Sequence, residues 1–160
     1  MLEQFIRRAY VVPVTTTTGA DAATRAWRLI STVWMARKSE FQGIAASFGL
    51  NPGAMHALLS LDPDAPQSMS TLAATFRCDA SNVTWLVDRL EEHGLAERRP
   101  HPTDRRIRTV ALTRKGVKVR AQIEAKLFEP PDELRALSER DLETLCRIFA
   151  KIAPEDGPHF

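Results

Sequence analysis

Ser81, Asn82, Thr84 and Trp85 sit within one short stretch directly after Asp79. Asp79 is a typical helix N-cap, and Val83, Leu86, Val87 and Leu90 recur at steps of three and four. That spacing predicts a helix from Ala80 to about His93, closed by Gly94, which buries those four and turns Ser81, Asn82, Thr84, Trp85 and Asp88 outward. Short polar side chains at the start of such a helix suit the edges of base pairs in a major groove. Asn can address adenine with two hydrogen bonds, and Ser or Thr are small adaptable partners. A capping role is the blander alternative for Ser81 and Asn82. Two readings are open for Trp85: it packs under a neighbouring side chain, or it presses on a sugar-phosphate backbone or a thymine methyl.

A second group lies in the polar segment Pro100-His101-Pro102-Thr103-Asp104-Arg105-Arg106. Strand-like stretches flank it, Leu95–Arg99 on one side and Ile107–Leu112 on the other, with Ile107, Val110 and Leu112 as the inward residues. An arginine at the tip of such a hairpin can enter a minor groove. An adjacent aspartate can hold its guanidinium through a bidentate pair. Over residues 98–120, Arg98, Arg99, Arg105, Arg106, Arg108, Arg114, Lys115, Lys118 and Arg120 are set against the single acid Asp104. So dense a run repels itself unless a polyanion neutralises it. The C-terminal segment from residue 121 is acidic, as expected of a part held away from phosphate. The candidate DNA-binding set is therefore Ser70, Ser81, Asn82, Thr84, Trp85, Arg99, Asp104, Arg105 and Arg106.

The elements that position these groups follow from caps and breakers. Residues 1–20 form an irregular arm with Pro13, Thr15–Thr18 and Gly19. One long helix is expected from Asp21 to about Phe48, with Trp27, Ile30, Trp34, Phe41, Ala45 and Phe48 on its apolar face and Gly49 ending it. A second begins at Asn51-Pro52 and carries Met55, Leu58, Leu59 and Leu61. A short helix capped by Ser70 turns Leu72, Ala73 and Phe76 inward, and Arg77-Cys78-Asp79 makes the turn into the outward-reading helix. After the hairpin, Thr113 caps a helix to about Phe128, and Ser138 starts a last one with Leu142, Leu145, Ile148 or Phe149, and Ile152 on one face. Residues 154–160 are a frayed tail. The fold class is mainly α with a small β-wing: a winged helix-turn-helix over about 50–112 with terminal helices at about 21–48 and 113–153.

Three stretches resemble the MarR (multiple antibiotic resistance regulator) family. Asp104 to Gly116, D-R-R-I-R-T-V-A-L-T-R-K-G, is similar to its wing signature and is the most specific of the three. Val83 to Leu95, V-T-W-L-V-D-R-L-E-E-H-G-L, resembles its recognition helix, and Leu50 to Leu61 the helix before the reading head. The resemblance covers about residues 21–153. It implies a homodimeric winged-helix regulator with interlocking first and last helices, in which Asp104 orients Arg106 into a minor groove. It also implies repression of promoters, and release from DNA on binding a small, often phenolic, effector or on oxidation. Trp85 departs from the pattern, since many members carry a polar or basic residue there. So does the N-terminus, which lacks the reactive cysteine of peroxide-sensing members.

The remaining sequence narrows the field. With 160 residues and 44% apolar content, the chain is long enough for one domain with a true core. Two cysteines, Cys78 and Cys146, are read as buried and inert. No histidine or cysteine pair has metal-ligand spacing, and no cofactor is expected. No nucleophile elbow or phosphate loop points to an enzyme. No apolar run of membrane-spanning length and no secretory signal appear, so the expected setting is cytoplasmic, with no membrane partner. The apolar stripes of the terminal helices need a partner face. A second copy supplies one, and packing on each other within one chain is the alternative. The rival to DNA binding is a winged helix that binds protein, which has no need of so many cations.

Overall fold

The computed structural model describes residues 21–76, 79–101, 103–104 and 107–153. The expectations for the arm, the tail, Cys78, Arg105 and Arg106 lie outside those residues. The described residues fall into two compact units that divide after Gly43.

In the first unit, helix α1 (Ala22–Ala36) starts at Asp21, whose side chain accepts from the Thr24 amide at 2.8 Å. Arg37 interrupts the helix. Its N–H donates to the Trp34 carbonyl at 3.2 Å, a 3₁₀-type step, and its guanidinium bonds Glu40 at 2.9 Å. Helix α2 (Lys38–Ser47) follows, so the single helix expected over 21–48 is two, because Arg37 leaves the regular hydrogen-bond ladder.

In the second unit, α2 ends at Gly49, whose φ of +71° only glycine adopts without strain. Leu50 N–H reaches back to the Ala45 carbonyl at 3.0 Å, closing a Schellman turn. Asn51 caps α3 (Pro52–Ser60) by accepting from the Ala54 amide at 2.9 Å. A two-residue strand β1 (Gln67–Ser68) leads into α4 (Met69–Phe76). The cap of α4 is Ser68 and not Ser70: Thr71 N–H donates to Ser68 Oγ at 3.1 Å, because β1 delivers the chain to the helix two residues early.

Helix α5 (Ala80–Glu92) ends in a second glycine turn, with Gly94 at φ +66° and Leu95 N–H bonded to the Leu90 carbonyl at 2.8 Å. Strands β2 (Ala96–Pro100) and β3 (Arg108–Leu112) then pair antiparallel, from Ala96 opposite Leu112 to Pro100 opposite Arg108. β1 pairs with the other edge of β3, Gln67 opposite Val110, so the wing has three strands with β3 central. Ile107 precedes β3 and is exposed, not inward, while Thr109, Val110 and Ala111 are buried.

The core of this unit is Met55, Leu58, Leu61, Leu72, Val83, Leu90, Leu95, Val110 and Ile123, all almost fully buried. Helix α6 (Arg114–Leu127) brings Ile123 to it. A short α7 (Asp132–Arg135) and α8 (Glu139–Phe149) follow, so the two expected C-terminal helices are present with one extra turn of helix between them. No residue of α8 is buried, which leaves Ile148, Phe149 and also Cys146 exposed. The buried reading of Cys146 is thereby corrected. Among the described residues, no helix is long and apolar enough to cross a membrane, and no side-chain group could hold a metal ion.

His56 on α3 lies 5.8 Å from the Phe76 ring, centroid to centroid, and burial holds its pKa below the ordinary 6.5. A depressed histidine pKa means that the unfolded chain takes up a proton first as pH falls. Stability tied to His56 is therefore complete above about pH 6.5 and is lost progressively below it. Denaturant midpoints from pH 5 to 8 are expected to fall with acid more steeply in the wild type than in His56→Gln. Parallel curves would remove His56 from this account.

Candidate nucleic-acid interface

The cap of α5 is built from the residues that sequence reasoning assigned to the interface. Asp79 Oδ1 accepts from the Asn82 amide at 2.9 Å and from the Ser81 hydroxyl at 2.6 Å. The Ser81 hydroxyl, then the Asn82 amide, hold the exposed Asp79 carboxyl below its ordinary range. Val83, Leu86, Val87 and Leu90 face the core, so Ser81, Asn82, Thr84, Trp85 and Asp88 project into solvent on the opposite side. That periodicity is legible in the sequence, and the structure follows it.

The outward residues are not equivalent. Thr84 donates its hydroxyl to the Ala80 carbonyl at 2.8 Å, and Ser81 donates to Asp79. Both can then offer only acceptor lone pairs to a ligand. The capping role foreseen as the blander alternative holds for Ser81. The Asn82 carboxamide bonds no described residue and keeps both its donor and acceptor sides. Trp85 is 49% exposed, a large aromatic surface left wet beside Asn82. Ser70 is exposed in the first turn of α4, its hydroxyl 2.8 Å from that of Ser68.

The wing narrows where His101 N–H donates to the Ile107 carbonyl at 2.9 Å and Ile107 N–H to the Asp104 carbonyl at 3.0 Å. Asp104 is exposed at this tip. The cations sort into two groups. Arg98 pairs with Asp88 and Glu91, Arg99 with Glu97, and Arg120 with Glu124, while Lys115 donates to the His93 carbonyl at 2.7 Å. The run is thus less bare than its sequence suggests, because its counter-charges come from α5, β2 and α6. Arg99 remains on the surface, paired within its own strand. Arg108, Arg114 and Lys118 are exposed and bond no described residue through their side chains. Arg114 and Lys115 also stand in the first turn of α6, which holds no acid, at the end of the helix dipole that favours anions.

Gly116 carries no signal in the sequence beyond its place in the wing signature. The first turn of α6 lies flat on the chain between α5 and β2. Thr113 N–H donates to the Leu95 carbonyl at 3.0 Å and its hydroxyl donates to the Gly94 carbonyl at 2.7 Å, while the Gly116 N–H donates to that hydroxyl oxygen at 2.9 Å. A Cβ at Gly116 would meet Leu95 O at 1.9 Å. This close approach ties the wing to the helix that follows it.

Known proteins share this architecture. The MarR family model matches residues 27–107. A Thauera aromatica protein named for transcriptional regulation of the hcr operon is 31% identical over 115 residues, covering 71% of this chain and 69% of that protein. Wild-type MarR from E. coli in its apo form has a similar fold, with a TM-score of 0.64, 23% identity, and coverage of 79% of this chain and 96% of that one. The transcriptional repressor CouR, bound to a 23-mer DNA duplex, matches with a TM-score of 0.58 and 27% identity over 78% of this chain and 89% of its own. The matched span runs from α1 through the wing loop, with the reading helix inside it, and the chain belongs to the MarR family of transcriptional regulators.

Proposed function

We propose that this chain is a homodimeric, sequence-specific repressor that binds a palindromic duplex site and releases it when a small-molecule effector binds. The observation that carries the DNA reading is the outward face of α5, where the Asn82 carboxamide bonds no described residue and stands next to an exposed Trp85 beside a basic three-stranded wing. Asn82 reads a base edge in the major groove, with Ser81 and Thr84 as acceptors and Trp85 against sugar or thymine methyl. Arg106, oriented by Asp104, enters the flanking minor groove, and Arg105, Arg99 and Ser70 meet the backbone. The similar fold of CouR on a DNA duplex supports this reading.

The dimer reading is supported by apolar side chains that the single chain leaves wet: Trp27 at 68% and Trp34 at 69% exposure on α1, and Ile152 at 66% beyond α8. A two-fold dimer sets its two reading helices about 34–36 Å apart, one turn of DNA. An effector acts by preferring one spacing of the two heads over the other.

Selection of bound fragments from a random duplex pool, followed by sequencing, tests the proposal. The expected product is one enriched inverted repeat with half-site centres about 10 base pairs apart. A folded dimer that enriches nothing would point to a protein-binding winged helix instead.

A further inference from the structure

The geometry assigns Arg98 to positioning the wing, not to holding phosphate, an inference that rests on the DNA reading above. Arg98 opens the middle of β2, yet its side chain turns back along α5 and is only 23% exposed. Its Nη1 lies 2.6 Å from Asp88 Oδ1 and also bonds Glu91 Oε2. Its Nη2 donates to the Thr84 carbonyl at 3.2 Å, and its backbone N–H donates to Glu91 Oε1 at 2.7 Å. Residues 84, 88 and 91 are one side of α5, four and then three positions apart. One guanidinium fork therefore spans two turns of the reading helix and fastens strand β2 to it.

Two consequences follow. The Arg98 charge is neutralised twice over inside the chain, so it releases no counterion when DNA binds. The same contacts fix where the wing tip stands relative to the outward face of α5, and hence the register between major-groove and minor-groove contacts. Lysine keeps the charge but cannot reproduce a planar fork on three acceptors.

The test pairs Arg98→Gln with Glu91→Gln in one variant, which leaves the net charge unchanged, and uses duplex DNA carrying the selected site. Melting curves confirm folding, and Arg98→Lys serves as the milder second variant. In the double variant, affinity is expected to fall about tenfold, the scale of coupling within one contact network. The slope of log affinity against log salt stays at the wild-type value. Hydroxyl-radical protection is lost in the flanking minor groove and kept in the major groove. Arg98→Lys shows the same footprint change in weaker form. A slope shallower by about 0.9, with the flanking footprint intact, would make Arg98 a phosphate ligand and overturn the assignment. Wild-type affinity and footprint in both variants would overturn it as well. Failure of the DNA reading itself looks different, since the wild type would then show no salt-sensitive binding at all.

Discussion

Gly116→Ala is expected to destabilise the fold strongly, even though a helix interior ordinarily prefers alanine to glycine by about 0.5–1 kcal/mol. The added Cβ would stand 1.9 Å from the Leu95 carbonyl oxygen and 2.9 Å from its carbon. Neither side can move easily. Leu95 leads straight into β2, where Ala96 pairs with Leu112, and its oxygen accepts the Thr113 amide at 3.0 Å. Relief would require α6 to lift off the base of the wing, breaking the Thr113 cap and exposing Leu95 and Ile123, both buried in the core. The cost is expected at or above the upper end of the roughly 1–3 kcal/mol typical of overpacking, because the obstacle is backbone and not a flexible side chain. Denaturant titration of the purified variant measures it. A midpoint equal to or above the wild type would show that helix propensity decides at this position and that the contact is looser than described.

The second large effect separates base reading from backbone grip. Asn82→Ala is expected to cost about 1–3 kcal/mol on the selected site while leaving binding to random duplex nearly unchanged, because a bidentate base contact carries sequence information. Arg106→Ala is expected to weaken binding to both and to flatten the salt dependence, as the loss of a charge at the minor groove does. Competition titrations at two salt concentrations distinguish the two behaviours. An Asn82→Ala variant that weakens selected and random duplex equally would remove Asn82 from base reading.

Much of this was legible from local rules. Asp79, Asn51, Thr113 and Ser138 cap the helices that sequence assigns to them, because capping depends on a side chain and an amide three residues away. Gly49 and Gly94 mark helix ends because those turns need positive φ. The buried stripe of α5 is a matter of period, and it fixes which residues face outward. What escaped depends on partners distant in sequence. β1 is too short to show a period and exists only because Gln67 and Ser68 meet β3. Arg98 looks like one more cation until Asp88 and Glu91 are brought beside it. The exposure of Cys146 follows from α8 burying nothing within its own chain, which its apolar stripe alone could not tell. Gly116 is only the last letter of the wing signature until Leu95 is brought against it.

The outward face of α5 and the wing are expected to grip duplex DNA through charge and base contacts together. Titration of the wild-type protein against a random duplex across 50–300 mM salt tests it most directly. The account requires affinity to fall steeply and log-linearly with salt, by a slope of several units, as Arg and Lys displace counterions from phosphate. Binding that is absent at low salt, or indifferent to salt throughout, would contradict it.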